Sequence, residues 1–152
     1  MLNIGIVGAG VGGLTCALML KKLGHKVTIF EKQSQSISSG VGIQLSSNAI
    51  RILRLFDLED NIASVANFPS MVDCINGHNG KKITSIPLGK IAEKKFNAGF
   101  YQLHRNDLIS ILKNKVEDFG IKINYGSPVN NLTQNSSNAK IQLLLSLIHI
   151  SE

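Results

Sequence analysis

The chain has 152 residues, 43% hydrophobic and 17% charged, and its 16 Lys and Arg against 10 Asp and Glu give a formal charge of +6. That composition suits one folded domain with a hydrophobic core and argues against disorder, while lysines interleaved with acidic residues and an aromatic content of 5% argue against a nucleic-acid-binding stripe. No apolar stretch reaches the roughly 20 residues of a membrane helix and no secretory leader is visible, so a cytoplasmic protein without stable membrane association is expected; Cys16 and Cys74 fit no disulfide framework, and His25, His78, His104 and His149 form no metal constellation.

In chain order, Ile4 to Val7 is a short apolar run ending in glycines, followed by helical periodicity at Leu14, Ala17, Leu18 and Leu20 and a stop at Gly24. Lys26 to Phe30 is β-branched and apolar and ends at Glu31, which completes a βαβ unit and requires parallel strands. A Ser/Gly-rich loop, Ser34 to Gly42, precedes a helix through Ile50, Leu53, Leu55 and Phe56, with Ser46 or Ser47 as its N-cap. Met71 to Asn76 and Lys82 to Ile86 read as a hairpin. Tyr101 to His104 is a short strand feeding a helix from Asn106 to Phe119, which Gly120 ends. Ile121 to Tyr125 is the next strand, and Val129 to Gln134 with Lys140 to Leu144 is a second hairpin. The fold class is therefore α/β with a parallel sheet, a βαβ start and an inserted hairpin.

Gly8-Ala9-Gly10-Val11-Gly12-Gly13 fits G-x-G-x-x-G and lies between a strand and a helix, where the motif has mechanical meaning. Gly8 permits the tight turn, Gly10 lets the backbone approach a pyrophosphate, and Gly13 lets the helix pack closely. Free N–H groups at the helix start, with the helix dipole, then suit phosphate oxygens. Glu31 follows at the end of the second strand, where a carboxylate accepts hydrogen bonds from a ribose diol and repels a 2′-phosphate. These residues point to FAD or NAD rather than NADP.

Three segments carry a resemblance to a family. They are the glycine fingerprint with Glu31-Lys32, the run Gly40-Val41-Gly42-Ile43-Gln44-Leu45-Ser46-Ser47-Asn48-Ala49, and His104-Arg105-Asn106-Asp107-Leu108. Together they resemble the FAD-dependent aromatic hydroxylases, most closely the salicylate hydroxylase-like group, whose second segment reads G-x-G-I-x-L-x-P-N-A and whose third reads H-R-x-D-L. Ser47 stands where that family has proline, and still offers a capping side chain. The long segment between Glu31 and Ile121 also matches the family's arrangement.

The resemblance implies a Rossmann-like FAD-binding domain. Gly8, Gly10, Gly12 and Gly13 would contact the pyrophosphate, Glu31 the adenosine ribose and Lys32 the adenosine side. Gln44 would lie beside the ribityl or flavin end, Arg105 would reach phosphate or ribityl oxygens, and Val129 would offer backbone groups to the adenine. Lys32 and Gln44 have a plainer reading as solvated side chains. Arg105 is a cation at a helix start, unfavourable to the dipole, which suggests an anionic partner. His104 reads as a structural histidine rather than a catalytic base.

As a family member the parent protein would use FAD, NADH or NADPH and molecular oxygen to hydroxylate a small aromatic substrate. The family's later D-G and G-D segments, which complete the flavin site, do not occur here, so residues 1–144 are expected to be a partial domain without activity of its own. Leu145 to Glu152 matches the in-frame translation of a sequencing adapter and is expected to be a non-native tail. Another FAD-dependent oxidoreductase, such as an epoxidase, and a non-catalytic dinucleotide-binding module are the alternative readings.

Overall fold

The computed structural model describes residues 1–34, 40–135 and 138–144. The proposed tail and the centre of the Ser/Gly-rich loop lie outside the described residues. The chain divides into two units, Met1–Ser38 with Leu112–Glu152, and Ser39–Ile111.

The first unit holds β1 (Asn3–Val7), α1 (Val11–Lys22), β2 (Lys26–Phe30), β7 (Lys122–Asn124), β8 (Val129–Gln134) and β9 (Ala139–Leu143). Its sheet has the order β1-β2-β7 and is parallel throughout, with Ile4 opposite Val27 and Ile29 opposite Ile123. Helix α1 buries Leu14, Ala17 and Leu18, spaced so that all three share one face. With Val27, Ile29, Leu112, Val116 and Ile121 they make the core of this unit. Each fully buried leucine among them contributes about 1.5–3 kcal/mol.

Both expected glycine stops are hydrogen-bonded helix ends of one type. After α1, Gly24 N–H donates to Lys21 O and His25 N–H to Leu20 O; after the helix Arg105–Asp118 (α5), Gly120 N–H donates to Glu117 O and Ile121 N–H to Val116 O. These caps turn the chain directly into β2 and β7.

The second unit holds β3 (Gly42–Leu45), α2 (Ser47–Arg54), α3 (Glu59–Ala63), β4 (Met71–Ile75), β5 (Lys82–Pro87), α4 (Gly89–Phe96), β6 (Tyr101–His104) and the first turns of α5 (Arg105–Asp118). Strands β3 and β6 pair antiparallel, with Gln44 opposite Gln102, and β4 pairs with β5 as the expected hairpin. Strand β3 and helices α3 and α4 were not anticipated. Helix α2 ends at Arg54, short of the expected Leu55 and Phe56, because Leu55 N–H and Phe56 N–H take the tighter i−3 carbonyls of Ile52 and Leu53.

Of the two serines expected as N-cap, Ser46 holds the position, without the side-chain bond of a cap. Its hydroxyl donates to Asn48 Oδ1, while Ser47 lies inside the helix, buried, with its hydroxyl donating to Ala98 O at 2.8 Å. Ser47 thus ties α2 to the chain after α4.

A charged cluster holds this unit together. The Arg54 guanidinium donates through Nε and Nη2 to both oxygens of Glu59, with Nη2 to Oε1 at 2.9 Å, and through Nη1 to Asn97 O. Tyr101 O–H donates to the same Glu59 Oε1 at 2.8 Å. The Arg54 hydrogen bonds hold the Glu59 carboxyl below its ordinary value of 4.5, against partial burial. Burial, then the bond to Glu59, pushes the Tyr101 phenol up to about 12.

Two pH limits follow. A carboxyl with a depressed pKa stabilises the fold above its ordinary pKa and stops doing so as pH falls through the folded value, so stability should decline below about pH 4.5. A phenol with a raised pKa stabilises below pH 10, and that contribution disappears as pH rises toward 12. Chemical denaturation of the chain across pH, compared with Glu59→Gln and Tyr101→Phe, should show the acid limb flattened in the first variant and the alkaline limb in the second.

Candidate functional site

The glycine turn sits at the carboxyl ends of the parallel strands, the usual ligand position in an open α/β sheet. Gly8 has φ +101°, a conformation strained for any side chain, and its N–H donates to Phe30 O at 2.8 Å, joining the end of β1 to the end of β2. A Cβ at Gly13 would stand 2.0 Å from Gly8 O, a backbone atom with no rotamer to retreat into. Only glycine lets α1 begin so close to the turn.

Helix α1 starts after Gly10 with no side-chain cap and no acidic residue in its first turn. Among the described residues, no hydrogen bond engages the N–H groups of Gly10, Val11, Gly12 or Gly13, the orphan donors of a helix start. A Cβ at Gly8 or Gly12 would meet nothing within 4 Å, so no other part of the chain packs against these two glycines on that side. Unpaired donors at the positive end of an uncapped helix fit a pyrophosphate.

Glu31 is bound to the same turn. Its Oε2 accepts Ala9 N–H at 2.7 Å and its Oε1 accepts Gln33 N–H at 2.8 Å. Partial burial raises its pKa, but backbone N–H groups of Gln33, Ala9 and Lys32, with the Lys32 charge, outweigh that and leave it lowered. The carboxylate is thus ionised at neutral pH, and an ionised carboxylate with lone-pair capacity left over suits the hydroxyls of a ribose diol. Beyond β7, Ser127 N–H donates to Glu31 O and Gly126 N–H to Gln33 O, which brings the approach to Val129 to this end of the sheet. Lys32 is exposed, and Val129 opens β8 opposite Leu143. The fingerprint glycines, Glu31 and the lead-in to Val129 are therefore gathered in one unit.

Gln44 and Arg105 belong to the other unit. The two remaining family-like segments are paired there as β3 and β6; a Cβ at Gly40 would come within 2.9 Å of the His104 ring, and Arg105 N–H donates to Val41 O. Gln44 lines an open cleft of about 470 Å³ with Asn67, Gln102, His104 and Asp107. Asn67 and Gln102, joined by mutual backbone hydrogen bonds, were not singled out in the sequence. Gln102 is brought opposite Gln44 by pairing across more than fifty residues, and Asn67 by its bridge to Gln102, for which no local signal exists. Among the described residues no cluster of His, Cys, Asp and Glu could hold a metal ion, and no helix is long and apolar enough to cross a membrane.

Strand, glycine turn, helix and a second strand ending in an acid define a dinucleotide-binding α/β domain. More narrowly, residues 1–146 match the FAD binding domain family, and the chain belongs to it. FAD is thereby the cofactor, which settles the choice between FAD and NAD. The chain is 36% identical over 107 residues to 3-amino-4-hydroxybenzoate 2-monooxygenase of Streptomyces cremeus, covering 70% of this chain and 27% of that protein. It is 30% identical over 116 residues to 6-hydroxynicotinate 3-monooxygenase of Pseudomonas fluorescens, covering 76% of this chain and 30% of that one. The solved structure of CtdE in complex with FAD and substrate 4 has the same fold, with a TM-score of 0.80 at 23% identity over 94% of this chain and 34% of that one. The chain spans less than a third of the length of these two curated relatives.

The contact at Gly13 yields a direct test. Gly13→Ala should force α1 away from the Gly8 carbonyl at a cost of about 1–3 kcal/mol or more, seen as a lower thermal midpoint and weaker FAD binding. Gly12→Ala, with open space at its Cβ, should leave the thermal midpoint nearly unchanged.

Proposed function

We propose that this chain is the amino-terminal, FAD-binding portion of a flavoprotein monooxygenase that uses NADH or NADPH and molecular oxygen to hydroxylate a small aromatic ring. The observation that carries the reading is Glu31, fixed by Ala9 N–H beside a helix start whose donors are unpaired, in a chain whose relatives carry the names of hydroxybenzoate and hydroxynicotinate monooxygenases.

When bound, FAD supplies the redox chemistry; this chain's residues bind and orient it. Glu31 accepts the ribose hydroxyls, and its negative charge disfavours a 2′-phosphate. The N–H groups of Gly10, Gly12 and Gly13 donate to pyrophosphate oxygens, with Gly8 setting the turn. Val129 offers its backbone to the adenine and Lys32 its charge to the adenosine side. For Gln44 and Arg105, likeness to the family's segments supports a carboxamide for ribityl hydroxyls and a guanidinium for phosphate or ribityl oxygens.

Binding and turnover are separable here. Calorimetric titration of this chain should show FAD and ADP binding in preference to NAD, and Glu31→Ala should weaken FAD binding roughly tenfold to a hundredfold, the worth of a charge-assisted hydrogen bond. NAD binding more tightly than FAD would overturn the ligand assignment.

Turnover should need more than this chain contains. Oxygen transfer requires flavin, ring and any activating base in near-attack geometry in a water-poor pocket. NAD(P)H consumption and hydroxylated product should therefore be absent with this chain and present with the intact gene product on a panel of hydroxybenzoates. An intact protein that retains FAD yet hydroxylates none of them would point to a different FAD-dependent reaction.

A further inference from the structure

The loop between β4 and β5 reads Asn76-Gly77-His78-Asn79-Gly80-Lys81 and so contains the dipeptide Asn-Gly twice. In such a pair the glycine nitrogen can attack the preceding side-chain amide, because no Cβ shields the approach. The two copies are chemically alike, and the fold makes them unlike. We propose that Asn76 is a site of spontaneous deamidation in the folded protein and that Asn79 is protected.

In the reaction, Gly77 N loses its proton to hydroxide and bonds to Asn76 Cγ. Nδ2 takes a proton from water, regenerating hydroxide, the Cγ–Nδ2 bond breaks and ammonia leaves, giving a cyclic imide. Water then opens the imide at either carbonyl to leave aspartate or isoaspartate, with no change of oxidation state. Three features decide the rate: how electrophilic Cγ is, how available the glycine N–H is, and how open the approach is.

At Asn76 all three are favourable. His78 N–H donates to Asn76 Oδ1 at 2.9 Å, which polarises the amide and stabilises the negative charge that grows on that oxygen during attack. Among the described residues no hydrogen bond engages Gly77 N–H, so nothing opposes loss of its proton. Gly77 is exposed, and a Cβ placed on it would meet nothing within 4 Å, so solvent base reaches this residue. At Asn79 the amide is polarised in the same way, by Lys81 N–H at 3.0 Å. Its nucleophile, however, is occupied: Gly80 N–H donates to Asn76 O at 2.9 Å, a bond that must be given up before attack.

The product matters to the hairpin. Asn76 N–H donates to Lys81 O at 2.8 Å and closes the last rung before the turn. Isoaspartate would lengthen the backbone at that rung, next to the irregularity between Cys74 and Ile75, and either product adds a negative charge close to Lys81 and Lys82.

The test is prolonged incubation of the full chain in mildly alkaline buffer, folded in one arm and unfolded in urea in the other, followed by peptide mapping with fragmentation to assign each site. Unfolded chain should convert both asparagines at similar rates, whereas folded chain should convert Asn76 well ahead of Asn79. Gly77→Ala, which has space for its methyl group, should keep the native circular dichroism and slow conversion at Asn76 by roughly tenfold or more while leaving Asn79 unaffected. Asn79 converting as fast as Asn76 in the folded chain would overturn the proposal. So would Asn76 remaining intact in folded chain while unfolded chain converts, or Gly77→Ala leaving the Asn76 rate unchanged.

Discussion

The contact on which the nucleotide-binding unit depends is the approach of α1 to the carbonyl of Gly8. Because a methyl group at Gly13 would lie 2.0 Å from that oxygen, the helix starts directly over the turn, and its unpaired N–H groups face the ligand end of the sheet. Everything else at this end is tied to the same few atoms. Gly8 N–H binds the end of β2, Ala9 N–H binds the carboxylate that follows β2, and the chain leaving β7 binds the main chain of Glu31 and Gln33. The turn is thus fixed by the sheet on three sides before any ligand arrives, and binding need not pay to order it.

Glu31 acts in two ways that composition alone would not separate. It carries the negative charge on which the proposed ribose contact rests, and it is also an acceptor that satisfies a buried turn residue, since Ala9 is almost fully enclosed. Its replacement by glutamine would keep an acceptor but lose the charge, whereas alanine would strand the Ala9 N–H as well. The second unit is organised by the comparable device of Glu59, on which Arg54 and Tyr101 converge, so that α2, α3 and β6 meet at one carboxylate. In each unit a partly buried acid is kept ionised by donors from several elements.

What could be read from the sequence was what is local. β1, α1 and β2 carry their own periodicity, and Gly24 and Gly120 end their helices by bonds that span only a few residues. The glycine fingerprint and Glu31 were legible because a βαβ unit brings them together within one short crossover. Strand β3 was hidden because Gly42 to Leu45 has a partner only in β6, far along the chain. Helices α3 and α4 are short and owe their existence to packing, with Ile62 and Ala92 as their buried residues, rather than to any amphipathic run. Ser47 illustrates the same limit at one position: its helix start was visible, but its hydroxyl serves a carbonyl 51 residues away.

The β4–β5 ribbon has a consequence for the chain in solution. Every residue of β5 is exposed, and Ile75, Ile83 and Ile86 are each more than half accessible, while among the described residues no further strand pairs with either outer edge. A two-stranded ribbon of this kind is marginal in isolation, and its free edges are templates for another strand. The sequence limits this with Lys82 paired to Asp73 and with Pro87 at the end of β5, where no N–H is available to extend a ladder. Edge-to-edge association between copies has its template in this ribbon, and added charge on its outward isoleucines is the direct way to oppose it.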